Sequence, residues 1–144
     1  MSGNNIGLKG RDAMIKDFKY NIIEKPILQW EDNGQWILTQ NFHYETPDGK
    51  FCLPVGLVTD FASVPRALRI FFSSGAILSR SALVHDWLYS SSSVSRKEAD
   101  ITFRELLKVE GVNLSTRYLF YWVVRLFGAS HYNKNKVVIS QEYL

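Results

Sequence analysis

The pattern of apolar residues changes from one typical of strands to one typical of helices at about residue 60, and this change constrains the fold most. Before it, Gln35–Tyr44 alternates apolar and polar residues, and Ile27–Glu31 is a shorter apolar run. Asp32-Asn33-Gly34 separates the two, and Asn-Gly favours the positive φ angles that a tight hairpin turn needs. Strands followed by helices predict an α+β fold.

The N-terminal half predicts one antiparallel sheet. Thr46–Gly49 reads Thr-Pro-Asp-Gly, a sequence typical of a turn, and two further strand segments follow it at Lys50–Leu53 and Val55–Thr59. We therefore expect an antiparallel β-meander of three or four strands. Pro54 and Gly56 interrupt the pattern, which predicts a bulge or a bend between the last two segments.

The C-terminal half predicts about four helices packed on this sheet. The first is a short helix at Arg66–Phe72, and the second is Leu78–Tyr89. The third begins with the capping box Ser95-Arg96-Lys97-Glu98, and Gly111 is placed to end it. The fourth, which we expect Ser115 to cap, is apolar nearly all round. That pattern predicts a helix that is central or covered on two sides.

The composition is that of a globular domain. The 144 residues are 46% hydrophobic and 22% charged, so we predict one α+β domain over 1–144, with a flexible arm at 1–15 and a polar tail at 130–144. The net charge of +3 is too small to predict a specific nucleic-acid partner. No apolar run approaches the length of a membrane span. The single cysteine, Cys52, excludes a disulfide within the chain.

The densest group of polar residues in an apolar context is Val58–Arg66, at the expected junction of sheet and helices. It contains Asp60, Ser63 and Arg66. One interpretation is that Asp60 or Ser63 caps the helix that follows. The other is that Asp60 belongs to a functional site, since such junctions often gather polar groups at one edge. Ser63 does not lie in the G-x-S-x-G sequence of a nucleophile elbow.

His85 and Asp86 are polar residues inside an otherwise apolar predicted helix. Consecutive helical positions point about 100° apart, so the two side chains need different partners. Tyr89 lies one turn after His85 on the same face. One interpretation is a core histidine bonded to an acid, Asp60 or Asp100. The other is a metal-binding or acid–base role for His85, because neutral imidazole serves as both ligand and base.

Arg96 and Asp100 are one helical turn apart and predict an i,i+4 ion pair of modest strength. Asp100 also borders the apolar stripe of its helix. An inward orientation would require a partner for its charge, and the candidates are Arg66, Arg80, Arg96 and His85. A structural salt bridge is the simpler interpretation.

Taken in order, these segments resemble a phage and prophage family known as domain of unknown function 1353. The resemblance rests on Leu53–Arg66, His85–Tyr89, Ser95–Asp100 and Val124–Gly128, and it extends over Pro26–Gly128. It implies an origin in a tailed phage or prophage and no particular activity. It also implies that the family's recurrent polar positions meet in space, which here are Asp60, Ser63, Arg66, His85, Asp86, Arg96 and Asp100.

The residues leave two functions of different classes open. The first, which the small number of acids and histidines favours, is a non-enzymatic virion-associated protein of the tail, baseplate or connector, or another interaction protein. It would be made in the host cytoplasm and would have other phage structural proteins as partners. The second is a metal-dependent hydrolase that acts on the host envelope or on a nucleotide.

The hydrolase interpretation assigns roles to the same polar residues. His85, Asp60 and Asp86 are then catalytic, and no cofactor is expected other than a divalent metal. The candidate ligands of that metal are Asp60, His85, Asp86 and Asp100. The residues expected to bind or position substrate are Ser63, Arg66, Tyr89, Arg96 and Asp100.

Overall fold

A computed structural model describes residues 19–65, 68, 77–132 and 136–144. In these residues six strands precede three α-helices, which confirms the α+β class with an N-terminal β half. The strands are β1 (Asn21–Ile22), β2 (Leu28–Trp30), β3 (Trp36–Leu38), β4 (Phe42–Thr46), β5 (Gly49–Leu53) and β6 (Val58–Thr59). The helices are α1 (Ile77–Ser91), α2 (Arg96–Val109) and α3 (Leu114–Phe127), and short 3-10 turns follow at Ala129–His131 and Gln141–Tyr143.

The strands form two three-stranded antiparallel sheets, so the expected single meander is wrong. One sheet has the order β1-β4-β5 and the other the order β2-β3-β6. The strand expected over Gln35–Tyr44 is divided at residues 39–41, which places β3 and β4 in different sheets. After β5 the chain turns back onto β3, where the Gly56 N–H donates to the Leu38 carbonyl at 2.6 Å. Because β6 then pairs with β3, β5 remains at the edge of the other sheet.

Both predicted hairpin turns are confirmed. The Asn-Gly turn joins β2 to β3, with Trp30 opposite Trp36, and Gly34 has a φ of +87°. The Pro-Asp turn joins β4 to β5, with Thr46 opposite Gly49. These short-range signals are reliable because the turn conformations favour the residues that occupy them.

The helices differ from expectation in number and in one cap. The predicted first helix, Arg66–Phe72, lies outside the described residues except for Leu68, so the described chain contains three helices rather than about four. The predicted arm at 1–15 also lies outside them. The predicted start of α2 is confirmed, since Ser95 is its N-cap and its side chain accepts from the Glu98 N–H at 3.1 Å.

The cap of α3 is Asn113 rather than Ser115. The Asn113 side-chain oxygen accepts from the Thr116 N–H at 2.9 Å, which is the geometry of an N-cap. Ser115 lies inside the first turn and donates its hydroxyl to the same Asn113 oxygen at 3.0 Å. Asn and Ser are both good capping residues, so their types alone did not fix where the helix begins.

The central helix is α1. The expectation that the last helix is central or covered on two sides is wrong. Apart from half-buried Trp87, the side chains of α1 from Ser81 to Tyr89 are buried, against strand residues on one side and against α2 on the other. In contrast, α3 buries only Phe120, Tyr121 and Val124. The apolar pattern of α3 therefore does not reflect burial from two sides.

The described part of the predicted polar tail packs against the sheet. Ile139 forms a β-bridge with Leu57, and the Val58 N–H donates to the Val138 carbonyl at 2.9 Å. At Gly56, where φ is +89°, an added Cβ would lie 2.7 Å from the Cβ of Tyr143. The close approach of the tail therefore requires a residue without a side chain at position 56.

We expect Gly56→Ala to lower the free energy of unfolding by roughly 2–4 kcal/mol, because it adds a steric clash to the cost of a positive φ angle. Gly34→Ala is the matched control, since its φ is +87° but no atom lies within 4 Å of the added Cβ. That variant should lose only about 1 kcal/mol. Urea denaturation followed by circular dichroism measures both values. Equal losses would contradict the packing of the tail on this turn.

Candidate active site

A buried row of polar side chains connects the segment after β6 to the helices. Its centre is the ring of His85, in the middle of α1. The Nδ1 atom of His85 lies 3.0 Å from Ser63 Oγ, and the Nε2 atom lies 2.7 Å from Asp100 Oδ1. The three residues, which we call the triad, are 2% exposed at Ser63 and fully buried at His85 and Asp100. The predicted pairing of His85 with an acid is therefore present, and the acid is Asp100.

The Asp100 carboxylate accepts hydrogen bonds at both oxygens. Besides His85, the Tyr89 hydroxyl donates to Oδ1 at 2.6 Å and Arg125 Nη1 donates to Oδ2 at 2.9 Å. Arg96, the predicted i,i+4 partner, is more distant at 3.8 Å. Burial alone would raise the pKa of Asp100, but the bonds from His85, Tyr89 and Arg125 outweigh it and hold the pKa below its ordinary value. Asp100 is therefore an ionised carboxylate.

The charge on Asp100 sets the direction of the hydrogen bonds in the triad. An ionised carboxylate only accepts, so the proton of a neutral His85 lies on Nε2 and Nδ1 is left as an acceptor. Ser63 then donates its hydroxyl proton to Nδ1. The proton positions Ser–OH···N and N–H···carboxylate are those that activate a serine hydroxyl in enzymes with this residue set.

The His85 ring is held in this orientation by aromatic neighbours. Its centroid lies 4.2 Å from that of Tyr89 and 4.7 Å from that of Phe103. Tyr89 thus contacts the ring and also donates to the acid that the ring donates to. Because the imidazole is packed and bonded at both nitrogens, rotation would break contacts on every side.

Asp86 points away from His85, as the helical geometry predicted, yet it meets the same segment. One of its oxygens accepts from the Thr59 hydroxyl, and the other accepts from the Ser63 N–H at 3.3 Å. Burial raises the pKa of Asp86, the bonds from Thr59 and Ser63 oppose that rise, and the nearby Asp60 carboxylate adds to it. The bonds from Ser63 to Asp86 involve both its N–H and its side chain, so the Ser63 hydroxyl lies between His85 and Asp86, two consecutive residues of α1.

Local side-chain bonds shape the turn that carries Ser63. The Thr59 hydroxyl accepts from the Phe61 N–H at 3.1 Å, and Asp60 Oδ1 accepts from the Ala62 N–H at 2.9 Å. Phe61 has a φ of +58°, which is uncommon for a residue with a side chain and costs about 1–3 kcal/mol. The Asp60 carboxylate therefore satisfies a backbone N–H of its own turn, while the helix that Asp60 or Ser63 was expected to cap lies outside the described residues.

A cavity of about 150 Å³ opens beside this turn. Ser63 is the only member of the triad that lines it, while His85 and Asp100 lie behind Ser63. A neighbouring cavity of about 450 Å³ shares four lining residues with it, Gln35, Asp60, Ala62 and His131. The polar or charged residues around the smaller cavity are Gln35, Thr59, Asp60, Ser63, Asp86, Ser90, Ser130, His131 and Lys136.

Most of the residues expected to form a site are brought together. Ser63, His85, Tyr89, Arg96 and Asp100 belong to one buried network, and Asp60 and Asp86 line the cavity at its end. Arg66 lies outside the described residues. Thr59, Arg125, His131 and Lys136 are close to the site without having been among the predicted site residues. Thr59 was recognisable as a hydroxyl next to Asp60, whereas the segment holding His131 and Lys136 carries no motif.

The four candidate metal ligands do not form one cluster. Within the described residues, no group of three or more His, Cys, Asp or Glu side chains is arranged to hold a metal ion. The reason is that His85 and Asp100 are fully buried and bonded to each other and to further protein groups, so neither side chain reaches the cavity. Only Asp60 and Asp86 of that set face the cavity.

We expect Asp100→Asn to lower the free energy of unfolding by about 3 kcal/mol or more at pH 7, because it leaves Arg125 without a buried counter-charge. Glu98→Gln, an exposed change on the same helix, is the control and should cost under about 0.5 kcal/mol. The pKa of Asp100 is lower in the folded protein than in the unfolded chain. Its contribution to the free energy of unfolding is therefore complete above the unfolded pKa of about 3.9, and it is lost as the pH falls through the folded pKa. Urea titrations should therefore show a smaller difference in the free energy of unfolding between wild type and Asp100→Asn at pH 3 than at pH 7. An equal difference at the two pH values would contradict this.

In the part of the chain that the structure describes, no helix is both long and apolar enough to cross a membrane.

Comparisons with known proteins identify the family of this chain. Neither the comparison with curated proteins nor that with solved structures gives a match. A family model described as "Protein of unknown function (DUF1353)" matches residues 36–124, a span that includes β3 to α2 and the whole triad. The chain therefore belongs to the DUF1353 family.

Proposed function

We propose that this protein is a hydrolase in which Ser63 supplies the attacking hydroxyl and His85 is the base. The observation that supports the proposal is the position of the triad relative to the cavity. Ser63 lies at the cavity wall, its hydroxyl is 3.0 Å from the His85 Nδ1 atom that accepts when the ring is neutral, and His85 is held by the ionised Asp100 behind it. The hydroxyl bonded to the buried His85 ring therefore belongs to a residue that borders a cavity.

The triad accounts for both halves of an ester hydrolysis. His85 Nδ1 takes the Ser63 proton as Ser63 Oγ bonds to the carbonyl carbon, and the imidazolium then gives that proton to the leaving alcohol as its C–O bond breaks. Water attacks the resulting acyl-serine in the same way, which releases the acid and restores the Ser63 hydroxyl. The Asp100 carboxylate stabilises the imidazolium in each step without taking its proton.

The negative charge that develops on the carbonyl oxygen needs a partner outside the Ser63 turn. The backbone N–H groups of residues 61–64 all donate to groups within the protein. Positive charge at the cavity is available from Lys136 and, when protonated, from His131. A divalent cation held by Asp60 and Asp86 would supply the same stabilisation and would offset their mutual repulsion.

We expect a fluorophosphonate probe to label wild-type protein on Ser63, as read by mass spectrometry of peptides. Ser63→Ala should abolish labelling and should lower kcat/KM for p-nitrophenyl butyrate by roughly a thousandfold or more. His85→Asn should also prevent labelling, because the hydroxyl then has no base. Ser90→Ala changes another hydroxyl at the cavity and should leave both readouts unchanged. A folded wild type that is not labelled, or labelling that survives in His85→Asn, would refute the assignment.

We further propose that the hydrolase depends on a divalent cation at Asp60 and Asp86. Chelation should lower kcat/KM at least about tenfold, and added calcium, magnesium or zinc should restore it. Asp60→Asn removes one exposed carboxylate and should raise the cation concentration required for activity. Full activity after chelation, with no metal found by mass spectrometry, would assign the stabilising charge to Lys136 and His131 instead.

The second candidate is a non-enzymatic, virion-associated or interaction protein of a tailed phage. The observation that favours it is that the triad, with Tyr89 and Arg125, also joins the β6 junction to all three helices. Such a network stabilises one arrangement of the elements without any turnover. On this proposal the wild type would show no labelling, His85→Asn would lower stability, and the chain would be found in purified particles.

A further inference from the structure

Another cavity, of about 360 Å³, lies between the sheet β1-β4-β5 and the helices α1 and α2. None of its described lining residues borders the cavity at Ser63. Its volume is within the range of ligand cavities, roughly 300–1,000 Å³. Four aromatic side chains line it, and these are Tyr20, Tyr44, Phe51 and Trp87. The cavity is therefore large enough for a whole small molecule, and it is separate from the proposed site of hydrolysis.

The aromatic rings of this cavity are available to a ligand. Trp87 and Tyr20 are half-buried, and Phe51 is 41% exposed. Tyr44 is buried and stacks on Phe51, with 5.6 Å between the ring centroids. In the described part of the chain, no lysine or arginine lies over any of the four rings. Because the face of an aromatic ring attracts a cation, and tryptophan does so most strongly, this wall favours a positively charged ligand.

The charged residues that the structure shows lining the cavity are acidic. They are Asp48, in the turn after β4, and Glu98, in the first turn of α2. Neither carboxylate has an ion-pair partner among the described residues. Burial raises the pKa of Tyr20, and the charges of Glu105 and of the two cavity acids raise it further. Arg104 lowers that pKa, but its Nε atom is paired with Glu105 at 3.2 Å, so the unbalanced charge at the cavity is negative.

Buried hydroxyl groups form another part of the wall. Thr102 of α2 is 7% exposed, and its hydroxyl has no hydrogen-bond partner within the residues that the structure describes. Thr46 of β4 is equally buried, and its oxygen accepts from the Asp48 N–H at 3.1 Å, which leaves its proton to donate. A buried polar group without a partner is unfavourable, so a ligand with a polar group is stabilised beside Thr102.

We propose that this cavity binds a small organic ammonium ion that has an apolar body. The carboxylates of Asp48 and Glu98 balance the charge on the nitrogen, and the ring of Trp87 contacts the carbon atoms bonded to it. Thr102 hydrogen-bonds to a polar group on the body. An anionic ligand is disfavoured by the same two carboxylates. The proposal is independent of the proposed hydrolase, because the two cavities share no described lining residue.

Isothermal titration calorimetry with the full chain tests the selection for charge. The probe is (3-hydroxyphenyl)trimethylammonium, and 3-tert-butylphenol is its neutral counterpart, with a carbon in place of the charged nitrogen. We expect a dissociation constant of about 1 mM or below for the cation and binding at least about tenfold weaker for the neutral compound. Absence of binding by the cation, or equal affinity for the two compounds, would overturn the proposal.

Removal of the two carboxylates tests their role. Asp48→Asn/Glu98→Gln should weaken binding of the cation about tenfold and leave that of 3-tert-butylphenol unchanged, because the shape is kept and the charge is lost. Asp32→Asn/Glu142→Gln is the matched control, since it removes two exposed carboxylates that do not line the cavity. It should bind like wild type. Unchanged binding by the first variant, or equal weakening in both, overturns the proposal.

The aromatic wall has its own test. Trp87→Leu should weaken binding of the cation about threefold or more, and should affect the neutral compound less. Phe51→Leu, on the edge strand β5, should act in the same direction, and it provides the test if Trp87→Leu is unfolded by circular dichroism. Folded variants that bind the cation as wild type does would place the ligand elsewhere and overturn the proposal.

Discussion

The ionised carboxylate of Asp100 is the group on which the rest of the structure depends. It comes from α2, and it accepts from His85 and Tyr89 of α1 and from Arg125 of α3. A buried charge of this kind is tolerated only when every partner is present, because removing one leaves the others desolvated without compensation. The packing of the three helices and the proton position on His85 are therefore set by one carboxylate. A residue that is essential to the fold is for this reason also the one that orients the candidate base.

The polar residues of α1 act on the Ser63 turn from two directions. His85 binds the side chain of Ser63, and Asp86 binds its backbone N–H. Their directions differ because they are consecutive on a helix, yet the turn curves so that both reach the same residue. The positive φ of Phe61 is part of this curvature. Backbone strain beside a serine that lines a cavity is common at functional sites, where surrounding contacts hold the strained form.

Short-range features of this protein were predictable from the sequence, and long-range ones were not. The turn at Asn33 and Gly34 and the cap at Ser95 follow from residue types at fixed spacings, and the pairing of His85 with an acid follows from burial. The break between β3 and β4 depends instead on β6 returning to pair with β3, which no local pattern encodes. In the same way, Arg125, His131 and Lys136 reach the site through tertiary packing. Arg125 lies in Val124–Gly128, but its spacing does not assign it to Asp100, and the segment that holds His131 and Lys136 carries no motif.

The exposed apolar side chains of α3 show why the expectation that this helix is central was wrong. An apolar helix indicates that the helix is covered, but the pattern does not say by what. The central position belongs to α1, whose polar residues His85 and Asp86 are acceptable there only because each has buried partners. The apolar residues of α3 are then left without a covering element among the described residues. Burying apolar surface is favourable by about 25 cal/mol for each Å² removed from water. Any contact that covers these side chains gains free energy in proportion to the apolar area it buries. The same helix leads into the turn at Ala129–His131, which lines the cavity at Ser63.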